Sequence, residues 1–131
     1  MRTVTLIAAT FTAAAALVAA PAAARPLKPA EEARIRPAGR PVDCLFIPQI
    51  RETRVRSDQV IDFYTLGGKV YRNTLPNRCP RLGFEERFAY KTSLSRLCSV
   101  DIITVFSTGA GGMPGPSCGL GQFQPITGAP R

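Results

Sequence analysis

The sequence predicts an all-β domain with one short helical turn and two disulfides, built either as a small barrel of five or six strands, for which an OB-like form is one option, or as a two-sheet sandwich. Three observations support this prediction. Short runs are rich in β-branched and aromatic residues, clusters of Gly, Pro and Asn separate the runs, and four cysteines occur in a chain of 131 residues. The order of the segments, a meander, a short helical element and further strands, fits a barrel and a sandwich equally well.

Residues 1–24 have the features of a secretory signal peptide. A basic residue comes first, residues 4–20 are uncharged and rich in alanine, and Ala22-Ala23-Ala24 fits the A-x-A cleavage pattern. We predict a Sec-type signal peptide that is cleaved before Arg25 or, as a second choice, after Ala20. The uncharged run is shorter than the roughly 20 apolar residues of a spanning helix. We therefore expect no transmembrane segment in the mature chain, which would be periplasmic or secreted.

Residues 25–41 are predicted to form a flexible linker ahead of the folded domain. Four prolines interrupt this stretch, which carries five basic and two acidic side chains and has few apolar residues to bury. Because proline lacks a backbone donor and stops a helix, an extended segment is expected. The disulfide-stapled β domain is placed at residues 42–127, and residues 128–131 are expected to be a frayed tail.

The clearest local pattern is a hairpin formed by residues 60–66 and residues 69–75. Gly67-Gly68 separates these β-rich runs, and glycine supplies the positive φ angles that both central positions of a type I′ turn require. Such a two-residue turn would place Tyr64 opposite Tyr71, with both faces of the hairpin partly covered. The face that we expect to be buried contains Val60, Tyr64, Leu66, Tyr71 and Leu75.

The remaining elements follow in order along the chain. Upstream of the hairpin, residues 44–56 are predicted to form one strand, or two strands broken at a proline, which completes a three-strand meander. Residues 80–86 are predicted to hold a short helical turn, and residues 101–107 a buried strand. The residues numbered 109–121, rich in Gly and Pro, are expected to be a loop, and a last strand at residues 120–126 would close the sheet.

Four cysteines are predicted to form two disulfides, because an even number in a short exported chain is typical of a disulfide framework. No two of them are spaced as C-x-x-C and the chain has no His, so we expect no metal site. Spacing alone cannot decide among the three possible pairings. We choose the nested pairing, Cys44 with Cys118 and Cys79 with Cys98, because it ties the two ends of the domain together.

The absence of His excludes most familiar catalytic arrangements, including Ser-His and Cys-His pairs. Residues 115–119 match the G-x-S-x-G pattern of hydrolases, but they lie in a predicted loop and lack a base for the serine, so we predict no catalytic residue there. Carboxylates remain as acid–base groups. Of these, Asp62 and Asp101 lie beside apolar strand residues, although a structural role is favoured for both. The carboxylates considered are Asp43, Asp58, Asp62, Glu85, Glu86 and Asp101.

The chain is basic, with 17 Lys and Arg against 9 Asp and Glu and a formal charge of +8. Removal of the signal peptide and the linker would leave the folded part at only +4. A candidate binding surface consists of Arg51, Arg54, Arg56 and Arg72, since guanidinium groups suit carboxylate and phosphate partners. Acidic residues are interspersed and no aromatic stacking platform is evident, so nucleic acid is not expected as a partner.

A family resemblance supports the prediction of export. It covers about residues 43–127 and is carried by Cys79-Pro80, by Leu97-Cys98-Ser99-Val100-Asp101 and by the spacing of Cys44 and Cys118. In these features the chain resembles a family of small exported bacterial proteins, catalogued as domain of unknown function 6491. The resemblance implies an exported bacterial protein with paired cysteines, and it brings no established activity, substrate or catalytic residue to any position.

Taken together, these features favour a non-catalytic binding or accessory module over an enzyme. The expected partner is an exported protein or an anionic ligand, and no cofactor is expected. The alternative is a small hydrolase or lyase that uses carboxylates such as Asp62 or Asp101. A third hypothesis is a protein inhibitor or assembly accessory that acts on an exported partner.

Overall fold

The computed structural model describes residues 26–109 and 111–131, so the predicted signal peptide lies outside the described residues. The helices are α1 (Pro29–Glu32), α2 (Leu82–Glu85) and a short 3-10 turn (Ile47–Gln49). The strands are β1 (Arg36–Pro37), β2 (Cys44–Phe46), β3 (Ile50–Val55), β4 (Val60–Thr65), β5 (Val70–Thr74), β6 (Phe88–Tyr90), β7 (Arg96–Cys98), β8 (Ile102–Phe106), β9 (Pro114–Gly119) and β10 (Phe123–Thr127). No helix in these two ranges is long and apolar enough to cross a membrane.

The strands assemble into an all-β, sandwich-like fold, and the sheets do not close into a barrel over the described ranges. A five-stranded antiparallel sheet has the order β1-β10-β5-β4-β3, a second sheet has the order β6-β8-β9, and β2 pairs with β7. Because β3 and β6 each have a single neighbour, both are edge strands. The all-β prediction is confirmed, and of its two forms the sandwich is the one that the structure adopts.

The core lies between the sheets and centres on Phe63 of β4. The ring of Phe63 meets that of Phe123 in β10 edge to face, with 5.3 Å between ring centroids, and that of Phe88 in β6 at 6.5 Å. This geometry suits the quadrupoles of aromatic rings, and burial of such large side chains is a main source of stability. Other apolar side chains with almost no exposure are Ile61, Leu75, Leu82, Leu97, Ile103 and Val105.

The hairpin of β4 and β5 forms, but its predicted register is wrong by one residue. Phe63, rather than Tyr64, lies opposite Tyr71. The Gly68 N–H donates to the Thr65 carbonyl oxygen at 3.0 Å, and of the two adjacent glycines only this one has a positive φ, of 81°. The connection is therefore a three-residue loop that ends on a glycine in the left-handed conformation. Such loops are the next most common hairpin connection after two-residue turns of the type I′ class.

The shifted register changes which face of β4 meets the core. A slip of one residue exchanges the two faces of a strand. Ile61 and Phe63 have no exposed surface and fill the core. Tyr64 is buried, as predicted, but it lies with Asp62 on the opposite face of β4. Leu66, also predicted to be buried, is 68% exposed in the loop of the hairpin.

The two predicted disulfides form, but the nested pairing is wrong. Cys44 bonds to Cys98, and Cys79 bonds to Cys118. Pairing of β2 with β7 sets Cys44 directly opposite Cys98. Cys118 lies in β9, and its partner Cys79 lies in the turn before α2. The lengths of the loops that the disulfides close could not identify this pairing from the sequence. Doubling the length of a loop changes the free energy of closing it by only about 0.6 kcal/mol.

The predicted loop at residues 109–121 is wrong in part, because it contains β9. This strand pairs with β8 on one side and forms the edge of its sheet. Proline is tolerated at an edge, where a missing N–H need not break a ladder, and β9 includes Pro114 and Pro116. By contrast, the predicted helical turn near α2, the strand β8 and the interruption between β2 and β3 are all present.

Both chain ends of the described domain pack on the sheet, unlike the flexible linker and frayed tail that the sequence suggested. Strand β1 pairs with β10, with Arg36 opposite Thr127, and α1 precedes it. At Gly128, φ is +82° and an added Cβ would lie 2.2 Å from the Arg34 carbonyl oxygen. Glycine is therefore required where the tail crosses the segment that leads into β1.

Candidate functional site

The candidate site is a group of charged side chains on the outer face of the five-stranded sheet. Because side chains alternate along a strand, placing Phe63 in the core turns Asp62 and Tyr64 outward. Arg54 lies opposite Asp62 across the β3–β4 pair, and Arg72 lies opposite it across the β4–β5 pair. The register of three strands thus gathers residues that are far apart in sequence.

Asp62 is fully buried and both of its carboxylate oxygens are bound by arginines. Oδ1 accepts a hydrogen bond from Nε of Arg72 at 2.8 Å. Oδ2 accepts from Nε of Arg56 at 2.8 Å and from Nη2 of Arg72 at 3.0 Å. A buried charge is tolerated only when it is paired and hydrogen-bonded, and this arginine–aspartate cluster of Arg56, Asp62 and Arg72 meets that requirement.

Helix α1 adds a second acid to the arginine–aspartate cluster. Glu32, the last residue of α1, accepts a hydrogen bond from Nη1 of Arg72. Burial by itself would lower the pKa of the Arg72 guanidinium, but hydrogen bonds to Asp62 and Glu32 outweigh it and raise that pKa. Arg72 is therefore a fixed cation that joins the first helix to the sheet.

The C-terminal tail is held over the neighbouring part of the same face. The Arg54 guanidinium stacks on the Tyr64 ring, with 4.6 Å from Cζ to the centroid, and also donates to Glu52. The Pro130 carbonyl oxygen accepts hydrogen bonds from Tyr64 Oη at 2.7 Å and from Arg54 Nη1 at 3.2 Å. Tyr64 Oη in turn accepts one from Arg56 Nη2 at 2.8 Å. These contacts form a polar network that holds the C-terminal tail against the five-stranded sheet.

The four arginines of the predicted binding surface therefore fall into two groups. Arg54, Arg56 and Arg72 are brought together, but their guanidinium groups are occupied by acids, a tyrosine and a backbone carbonyl of the same chain. Arg51 differs, since its side chain is 55% exposed and its nearest acidic oxygen, Oε2 of Glu52, is 3.9 Å away. Of these four arginines, Arg51 has the most exposed side chain, whereas those of Arg56 and Arg72 are only 10% and 12% exposed.

Sequence reasoning missed three partners in this network: Glu32, Tyr64 and Pro130. Glu32 and Pro130 lie in the segments that the sequence predicts to be a flexible linker and a frayed tail, and Tyr64 lies at a position that it predicts for the core face. Opposite charges on adjacent strands are a usable signal, but the pairing of Asp62 with Arg72 is visible only when the register of the hairpin is known.

Three of the other candidate carboxylates, those of Asp58, Glu85 and Asp101, accept hydrogen bonds from backbone N–H groups, whereas the exposed Asp43 accepts from the Gln122 side chain at 2.9 Å. Asp101 Oδ2 accepts from the Cys98 N–H at 2.6 Å. Asp58 accepts from the Gly83 N–H at 2.8 Å, which, with the Arg78 guanidinium, lowers the pKa of the Asp58 carboxyl group.

Glu85, at the end of α2, has the same role. Its Oε2 accepts from the Thr108 N–H at 2.7 Å and from Thr108 Oγ1 at 3.0 Å. The backbone hydrogen bond is the main reason that the pKa of the Glu85 carboxyl group lies below its usual value, and the nearby Arg81 adds to the effect. Glu85 thus attaches the segment after β8 to α2.

The literal G-x-S-x-G match gives no nucleophile in the structure. Its serine, Ser117, lies in the edge strand β9 and exchanges a 2.9 Å hydrogen bond with Thr104 Oγ1. Its neighbour Cys118 is in a disulfide. A nucleophile elbow requires a sharp turn between a strand and a helix, which this strand does not provide. In addition, no group of three or more Cys, Asp or Glu side chains in the described part of the chain could hold a metal ion.

A cavity of about 310 Å³ lies beside the polar network, between the β4–β5 hairpin and the tail. We call it the tail cavity. Its lining residues are Arg51, Tyr64, Thr65, Gly68, Val70, Ile126, Thr127, Gly128, Ala129 and Arg131.

Comparison of the chain with models of protein families, with curated proteins and with solved structures finds no match.

Proposed function

We propose that this chain is an exported, disulfide-stabilised β-sandwich that acts as a non-catalytic binding or accessory module. The observation that carries this proposal is that the carboxylates of Asp62 and Asp101 are bound by other groups of the fold. Asp62 has no exposed surface and both oxygens are bound by Arg56 and Arg72, and Asp101 holds the N–H of Cys98. A general acid or base must reach a substrate proton, and these groups are committed to the fold.

Export is supported by two independent features. The first is the predicted signal peptide with cleavage before Arg25. The second is the pair of disulfides, which persist in oxidising compartments such as the bacterial periplasm or the extracellular medium. Membership in the exported family known as domain of unknown function 6491 remains part of this proposal, on the strength of the resemblance alone.

Export is tested by fractionating cells that produce the full chain and measuring the intact mass of the mature protein. We expect a periplasmic or secreted product that begins at Arg25 and weighs four hydrogen atoms less than its reduced form. An unprocessed product retained in the cytoplasm, or thiols that react with an alkylating reagent in the folded protein, would refute the proposal.

The non-catalytic role is tested by replacing Asp62 and Asp101 singly with Ala and measuring the melting temperature. Both variants should melt at a lower temperature, because each carboxylate satisfies groups of the fold. An enzyme that keeps these acids for catalysis would instead hold or gain stability on their removal. Asp43→Asn is the matched control, since the Asp43 side chain is exposed and Asn retains the oxygen that accepts from Gln122.

A further inference from the structure

We infer that the tail cavity is a binding site for a compact anion, a carboxylate or a phosphate attached to a small apolar body. This inference rests on the proposed function as a binding module and names the class of its ligand. It also moves the site away from most of the arginine surface that the sequence suggested, because only Arg51 of that surface lines the tail cavity.

The charge of the lining is the first argument. Arg51 and Arg131 are the charged residues that line the tail cavity, and no Asp or Glu does so. Both arginines are exposed, and Arg51 has only the 3.9 Å contact with Glu52, whose carboxylate also accepts from Arg54. Two arginines in the lining of one cavity favour an anion, because a guanidinium presents several N–H donors in a plane that matches carboxylate or phosphate oxygens.

The shape and polarity of the interior are the second argument. Val70 and Ile126, which are paired across β5 and β10, contribute apolar surface, and Tyr64, which is paired with Val70 across β4 and β5, lies beside them. Small-molecule sites combine apolar surface with polar groups that orient the ligand, and this lining offers both; its volume of about 310 Å³ is at the lower end of their range. The lining therefore suits a small ring or branched chain that carries one anionic group.

The wall formed by the tail is the third argument, because it is organised before any ligand arrives. Thr127 is paired with Arg36 across β1 and β10, Gly128 packs closely against the Arg34 carbonyl group, and Pro130 accepts hydrogen bonds from Tyr64 and Arg54. A site that is already in its bound shape loses little conformational entropy on binding. These anchors hold Thr127, Gly128 and Ala129 along one side of the tail cavity, and Arg131 follows directly after the last anchor.

The test is an NMR titration of the isotope-labelled mature chain with two probes, benzoate and phenyl phosphate. They share a ring for the apolar interior and differ in the anionic group, so the tighter probe identifies the carboxylate or the phosphate as the preferred chemistry. We expect saturable shifts at the amides of Val70, Ile126 and Thr127. Arg51→Gln and Arg131→Gln should each weaken binding at least about tenfold, the effect of losing one charged hydrogen bond.

Arg96→Gln is the matched control, because Arg96 is exposed on β7 and does not line the tail cavity. Unchanged binding in this variant, with losses in the other two, supports the inference. Equal losses in all three variants, or no saturable shift with either probe, would overturn it. Binding that appears only after deletion of residues 130–131 would also overturn it, since the tail itself would then fill the space. All these outcomes are independent of export and of the carboxylate variants that test the proposed function.

Discussion

Asp62 lies directly opposite Arg72 in the β4–β5 hairpin, and the two side chains share two hydrogen bonds, at 2.8 and 3.0 Å. This pair lies on the outer face of the sheet and nonetheless has a fully buried carboxylate, which Arg56 and Arg72 bind, while Glu32 of α1 binds Arg72 in turn. The face that the sequence suggests as a binding surface is therefore used to attach the chain ends to the sheet.

Removal of the acid alone should be far more costly than removal of the whole arginine–aspartate cluster. Asp62→Ala leaves Arg56 and Arg72 without their main partner, and breaking a buried pair in this way costs about 3–5 kcal/mol. The triple variant Asp62→Leu, Arg56→Met and Arg72→Met should recover most of that loss, since apolar residues of similar volume often replace buried ion pairs at little cost. Urea unfolding of both variants measures the two free energies. Equal losses would show that the charges themselves are indispensable.

The disulfides should be found as Cys44 with Cys98 and Cys79 with Cys118. Proteolysis without reduction, followed by mass spectrometry, identifies the linked peptides. Replacement of Cys79 and Cys118 together by Ala should lower the free energy of unfolding by about 2–5 kcal/mol, the usual cost for a small secreted domain. Peptides that link Cys44 to Cys118 would contradict the strand pairing of β2 with β7.

Stability should decline at acid pH because Asp58 and Glu85 have lowered pKa values in the folded state. A depressed folded pKa contributes stability above the ordinary values, 3.8 for Asp and 4.5 for Glu, and this contribution is lost as the pH falls through the folded pKa. The melting temperature should therefore be level above about pH 5 and fall below about pH 4. Asp58→Asn and Glu85→Gln should make the curve flatter, and an unchanged curve in both variants would contradict this explanation.

The tail should be released by a single methyl group at Gly128. Alanine there would place its Cβ 2.2 Å from the Arg34 carbonyl oxygen in a backbone with φ of +82°, so we expect a loss of about 1–3 kcal/mol in stability. Gly67→Ala is the control, because a Cβ at that position meets no atom within 4 Å. Thermal unfolding compares the two variants, and equal melting temperatures would mean that the tail does not stabilise the domain.

Local patterns predicted the elements that depend on neighbours in sequence. The alternation in β4 and β5, the apolar run of β8 and the helical turn at α2 each arise from contacts within a few residues. The register of the hairpin was not predictable in the same way, because Gly67-Gly68 is compatible with both a two-residue and a three-residue loop. The strand β9 was missed because an edge position relaxes the usual conflict between proline and a sheet.

The candidate site was less predictable than the fold. The arginines were identified from composition, and Arg54 and Arg56 do share one face with Arg72. Which guanidinium groups remain available depends on where Asp62 and Glu32 lie, and these positions follow from strand register and from the packing of α1. Arg131 lines the tail cavity together with Arg51 because of the path that the tail takes. That path depends on the close approach of Gly128 to the Arg34 carbonyl group.

By itself, the sequence determined the all-β class, the participation of all four cysteines in disulfides and the absence of histidine chemistry, since these follow from composition and local periodicity. Only the tertiary structure decided the sandwich, the pairing of Cys44 with Cys98 and the burial of Asp62. Those features depend on which strands become neighbours, and strands distant in sequence pair through the sum of many weak contacts that no single segment specifies.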